Sequence, residues 1–118
     1  MRAGEVFQSA FLRAEDLRGK RVRVVIQEVR KQMVRSQATA PRPVAVMFFA
    51  GKQKGLILNR TNWRVLETLI GKADSDEWRG YAITLHVERV SFGKETVEAI
   101  RVDAKAGAWP PGERSAER

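Results

Sequence analysis

One stretch of helical periodicity, Asn62, Leu66, Leu69 and Ile70, stands among apolar segments that otherwise run as strands, and that order restricts the fold more than any other feature of the chain. Arg21-Val22-Arg23-Val24-Val25-Ile26 begins with alternation and is rich in β-branched side chains, which predicts a half-buried strand running to about Arg30. Successive strand side chains point to opposite faces, so Val22, Val24 and Ile26 share one face and Arg21 and Arg23 the other. Ser36 to Pro43 is polar and broken by two prolines, which predicts a loop. Val44 to Phe49 is apolar throughout, hence a strand that is either central or turns its outer face to a ligand. Gly51-Lys52-Gln53-Lys54-Gly55 then predicts a turn, and Leu56-Ile57-Leu58 a short third strand closing a hairpin.

Asn59 or Thr61 can cap the helix that follows, and Gly71 can stop it in the left-handed conformation. After a loop from Lys72 to Gly80, Tyr81 to Val87 alternates as a fourth strand. A fifth, Thr96 to Val102, follows the Gly93-Lys94 turn, with Ile100 and Val102 inward and a bulge expected between Val97 and Ala99, where the alternation slips. The order β-β-β-α-β-β predicts an all-β fold with one helix, a five-stranded OB-type barrel whose helix plugs one end. A single three-turn helix cannot cover both faces of an open five-stranded meander, so closure of the sheet is expected. With 118 residues, 43% of them apolar, the chain has enough for one core. The expected layout is an N-terminal segment over 1–16, the barrel over 17–103, and a flexible tail over 104–118, where Pro110 and Pro111 fall.

The charge is as unevenly distributed as the secondary structure. Between Leu17 and Leu58 ten Lys or Arg residues face a single acid, Glu28, for a net of +9 in a chain whose total is +8. A localised excess of cations concentrates polyanions, whereas scattered charge mostly aids solubility. The absence of cysteine excludes disulfides, thiolate metal sites and cysteine nucleophiles. The only histidine, His86, falls in the alternating fourth strand as an ordinary strand residue, and Asp74, Asp76 and Glu77 lack the spacing of a calcium loop. No phosphate loop, catalytic constellation, metal set or cofactor motif is present, so the expectation is a binding protein and not an enzyme. Charged residues through the first twenty positions argue against a signal peptide, no segment resembles a membrane span, and the expected location is the cytoplasm.

Four runs also resemble a known family: Phe11 to Leu17, Lys54 to Asn62 with Leu58-Asn59-Arg60-Thr61-Asn62 at its end, Glu77-Trp78-Arg79-Gly80-Tyr81, and Ala99 to Val102. They are similar to small phage and prophage proteins of OB type, described as uncharacterised or as single-stranded DNA-binding, over roughly residues 7–103. The resemblance implies a protein that coats single-stranded DNA with little sequence preference during replication or recombination. Such binding needs cations that follow phosphates and flat side chains on which bases stack. The expected phosphate contacts are Arg21, Arg23, Arg30, Lys31, Arg35, Arg42, Lys52 and Lys54, along the face of strands one to three. Phe49, turned outward with Met47, is the expected stacking residue, the alternative being that it packs under the N-terminal segment. Trp63 and Trp78 are expected to seal the bottom of the barrel, and Trp109 has no assigned place. RNA, or an acidic protein bound by an OB adaptor, are the alternative partners; a homo-oligomer is left open.

Overall fold

The computed structural model describes residues 11–36 and 39–112. The fold is mostly β with one helix: strands β1 (Val22–Ser36), β2 (Thr39–Phe49) and β3 (Leu56–Leu58), helix α1 (Arg60–Ile70), then β4 (Ala82–Phe92), β5 (Glu95–Val102) and β6 (Ala108–Trp109). All pair antiparallel in one open sheet of order β3-β2-β1-β4-β5, with β6 beside β4.

Strand β1 serves two partners. Val22 to Val25 lie opposite Leu85 to Ala82 of β4, whereas Ile26 to Ser36 lie opposite Phe49 to Thr39 of β2. Each hairpin therefore runs past the shared segment, β1–β2 beyond the start of β4 and β4–β5 beyond the start of β1. The stretch expected to be a proline-broken loop is part of the first of these arms, with Pro43 opposite Met33 and Arg42 opposite Val34. Because β3 pairs β2 only from Ala45 to Met47, the level of Pro41 and Pro43 is a sheet edge. Edges tolerate a missing N–H.

The expected bulge between Val97 and Ala99 is not made. Register from Leu85–Val102 to Phe92–Glu95 is unbroken, and the alternation slips there because Glu95 to Glu98 are exposed whichever way they point. The irregularity lies instead in β1, where Ile26 faces Phe49 and Glu28 faces Phe48, leaving Gln27 as an extra residue. Beyond Gln27 the inward positions change from even to odd numbers.

The core gathers Val24 and Ile26 of β1, Met47 and Phe49 of β2, Leu56 and Leu58 of β3, Leu66 and Ile70 of α1, Trp78, and Ile83, Leu85, Ile100 and Val102. Asn59 caps α1 by accepting the Asn62 N–H at 2.8 Å. Gly71, at φ 79°, ends it by returning its N–H to Glu67 O at 2.8 Å.

The expected closure into a barrel is also not made. Edge strands β3 and β5 do not pair, β3 being three residues long, and α1 contacts both. Asn62, at 1% exposure, takes the place of a neighbouring strand: its Nδ2 donates to Ile100 O at 3.0 Å and its Oδ1 accepts from Val102 N at 3.0 Å. One side-chain amide thus satisfies two backbone groups on the inner edge of β5.

A sixth strand lies where a flexible tail was expected. Ala108 and Trp109 pair with Ile83 and Ala82. Pro111 packs on Gly80, where a Cβ would stand 2.8 Å from its Cγ and where φ is 88°, so only glycine fits both demands. At the other end of the described chain, Leu12 donates its N–H to Gly55 O at 2.8 Å and Leu17 is buried below a short 3₁₀ turn, Ala14–Leu17. Residues 1–10 and 113–118, parts of the two expected terminal segments, lie outside the described residues. Among the described residues no helix is long and apolar enough to cross a membrane.

Candidate nucleic-acid interface

The bulge at Gln27 decides which cations share a face. Arg23 of β1 is odd-numbered, like Arg21 just before the strand, and Arg30 is even, so an unbroken strand would turn Arg23 and Arg30 to opposite sides. The extra residue restores Arg30 to the outer face, the side away from Ile26 and Met47. There the Arg30 guanidinium lies 4.7 Å over the ring of Phe48, and that of Arg23 lies 4.4 Å over the ring of Trp109, which reaches across Ala82 from β6. Each pair combines a fixed cation with an aromatic face.

Phe49 is a correction to the sequence reading. It is 1% exposed and opposite Ile26, so it belongs to the core, and Phe48 is the outward aromatic of β2. Both faces of that strand are apolar, and only its register with β1 distinguishes them. Met47 is buried in the same way.

The expected phosphate contacts divide into two groups. Three are engaged within the fold. Arg21, although its side chain is 66% exposed, pairs with the buried carboxylate of Asp103, whose Oδ1 also accepts from the N–H groups of Lys105 at 3.0 Å and Ala106 at 3.3 Å. Arg23 is covered on one side by Trp109. Lys54 sits 3.4 Å from Asp16, whose carboxyl is held below its ordinary pKa first by the Arg13 N–H and then by Lys54 itself.

The second group faces solvent. Lys31, Arg42 and Lys52 are exposed and, among the described residues, have no acidic partner; Arg30 is exposed but pairs with Glu28. That hydrogen bond lowers the pKa of Glu28 and raises that of Arg30. Arg30 and Arg42 stand on the outer face of the β1–β2 arm, Lys31 on its inner face, and Lys52 past the far end of β2 in the turn at Gly51. Arg35 lies on the same arm, its side chain outside the described residues. The contiguous wall expected over strands one to three is therefore a basic hairpin arm with a separate lysine turn.

Two clefts adjoin these cations. One, of about 480 Å³, has Val24, Phe49 and Leu85 as its floor and Asp16, Lys52 and Lys54 at its rim. The other, of about 380 Å³, lies between the inner face of the arm and α1, lined by Val29, Lys31, Pro43, Ala45, Trp63 and Ser75. Trp63, half-buried, packs against Trp78 with ring centroids 4.7 Å apart and an angle of 55°. Trp78 is fully buried and fixed by its Nε1–H to Lys72 O at 2.9 Å. Phe48, Trp109 and the open face of Trp63 are the aromatic features the sequence did not place, because Arg30 and Arg23 reach the first two only through strand register.

The residues behind the family resemblance serve the backbone. Asn59 and Asn62 act as described, Trp78 is core, and Gly80 bends the chain so that its N–H reaches Ile26 O at 2.8 Å. Asp74 caps a 3₁₀ turn by accepting the Asp76 N–H at 2.9 Å, Glu77 lies 3.7 Å from Lys72, and His86 pairs with Glu88 at 3.2 Å. Comparison with protein-family models, curated proteins and solved structures finds no match.

Proposed function

We propose that this chain binds single-stranded DNA with little sequence preference, using the β1–β2 arm as its principal contact and the Lys52 turn as a second. The observation that carries the proposal is the placement of exposed Arg30, Lys31 and Arg42 along one hairpin, Arg42 on the part of it that runs past β3, with Phe48 beneath Arg30. Cations along a hairpin can follow a flexible backbone, and an aromatic beside them offers a surface that any base can use. We further propose that the sheet is an OB barrel in its partly open form, with α1 and Asn62 in the gap between β3 and β5. OB proteins bind oligonucleotides across strands two and three, with the loops joining strands one to two and four to five as clamps. The two extended hairpins here occupy those positions. A phage or prophage origin, bacterial cytoplasmic location and a role in replication or recombination belong to the same proposal and rest on the resemblance of the motifs.

The test is an anisotropy titration of a labelled oligothymidylate at several salt concentrations. With about four or five phosphates engaged, log K should fall against log salt with a slope of roughly −3, given about 0.7 per phosphate on single strands. A slope near zero refutes polyanion binding. A length-matched RNA bound more tightly than the DNA reassigns the ligand while leaving the interface in place.

A further inference from the structure

The cleft between the β1–β2 arm and α1 has features that the phosphate contacts leave unused. Trp63 presents a half-buried ring, and the tilted packing on Trp78, itself fixed by the bond to Lys72 O, holds that ring in one orientation before any ligand arrives. The opposite wall is aliphatic, from Val29, Pro43 and Ala45, and Ser75 contributes a hydroxyl group. Among the described residues no acidic side chain lines the cleft, and Lys31 lines it together with Arg30. A preformed apolar slot with one flat aromatic wall and one polar group suits a planar, weakly polar ligand. The cation beside it suits an anion attached to that ligand.

We infer that this cleft receives one unpaired nucleobase, stacked on Trp63, while the attached phosphate passes Lys31. The inference rests on the proposed binding of single-stranded DNA and deepens it: the inner face of the arm takes a base of its own, separate from the surface that Phe48 offers on the outer face. Trp63 is then a binding residue as well as part of the seal over the core.

The experiment compares an oligothymidylate with an abasic oligomer of the same length, which keeps the phosphates and lacks the bases, on the wild type, Trp63→Leu and Trp63→Phe. Stacking of one base corresponds to roughly a 5- to 150-fold effect on affinity. Trp63→Leu should lose that factor for oligothymidylate, keep its affinity for the abasic oligomer, and keep the salt slope of the wild type; Trp63→Phe should retain most of the affinity. Should Trp63→Leu fail to fold, intrinsic fluorescence decides: oligothymidylate should quench the wild type and leave Trp63→Phe, which retains Trp78 and Trp109, nearly unquenched. Equal losses for both oligomers, unchanged affinity in Trp63→Leu, or equal quenching of wild type and Trp63→Phe overturns the inference. Salt-dependent binding of both oligomers with equal affinity by the wild type overturns the base site alone, whereas no binding of either overturns the proposed function as well.

Discussion

Replacing Asn62 tests how the open sheet is held. Its side chain makes two hydrogen bonds to β5, both buried, at 3.0 Å each. In Asn62→Ala the Ile100 carbonyl and the Val102 N–H lose their partner, and leaving a buried polar group unsatisfied costs about 1–3 kcal/mol. Water reaching the edge of β5 recovers part of this, so the expected loss is about 2–4 kcal/mol, a large fraction of the roughly 5–15 kcal/mol typical of a whole domain. Asn62→Asp separates the two bonds. Its carboxylate can still accept from Val102 N–H but confronts Ile100 O, so burial and repulsion raise its pKa above the ordinary value of about 3.9. The neutral acid regains a donor. An acid whose pKa is raised by folding carries no penalty below its unfolded pKa; the penalty grows as pH rises through that value and levels off above the raised one. Urea unfolding followed by tryptophan fluorescence should place Asn62→Asp closest to the wild type at pH 3–4 and farther from it at pH 7. Asn62→Ala within about 0.5 kcal/mol of the wild type, or Asn62→Asp with no pH trend relative to it, refutes the view that this amide replaces a strand.

Other perturbations separate the two faces of β2 and the engaged from the exposed cations. Phe49→Ala should cost about 3–5 kcal/mol of stability as a buried large-to-small change. Phe48→Ala should cost less stability, as read by urea unfolding, and should weaken oligothymidylate binding with little change in salt slope. Asp16→Asn removes the partner of Lys54, so the salt slope should steepen by up to about 0.7 if the lysine turn touches phosphate. Because folding lowers the pKa of Asp16, the stability it contributes is present above the ordinary carboxylate value and is lost as pH falls through the lowered one. Unfolding curves of wild type and Asp16→Asn should therefore converge in acid.

The strands, the helix and its two ends were legible because each signal was local. Alternation at Arg21 to Ile26, the stripe Asn62, Leu66, Leu69 and Ile70, and the pair Asn59 and Gly71 all act within a turn or two of the chain. What escaped depends on partners distant in sequence. Nothing near Gln27 marks it as an extra residue; the bulge exists because β1 must leave β4 and continue with β2. Phe48 and Phe49 are identical in kind, and only the pairing of Phe49 with Ile26 turns one inward. The prolines at 41 and 43 correctly argued against a central strand, but an edge accommodates them. Trp109 looked like part of a tail because its strand is two residues long, and it is held by Arg23, a residue the charge pattern had assigned to a ligand.

That exchange changes what the charge excess means. Ten cations between Leu17 and Leu58 predict a polyanion in aggregate, yet Arg21 neutralises a buried carboxylate and Arg23 holds the last described strand against the sheet. Arg23 stands where β1 is paired with β4 and Arg21 immediately before it; the next cation of β1 is Arg30, where the strand has left β4 for β2. The division follows from partners: Arg21, though its side chain is 66% exposed, and Arg23 are each met by a group from another element, whereas Lys31 and Arg42 have no acidic partner among the described residues. Net charge thus overstates the number of phosphates the chain can engage. The salt slope, which counts only cations that exchange counterions for phosphate, should accordingly follow the arm and the lysine turn, and Arg21→Gln should lower stability while leaving that slope unchanged.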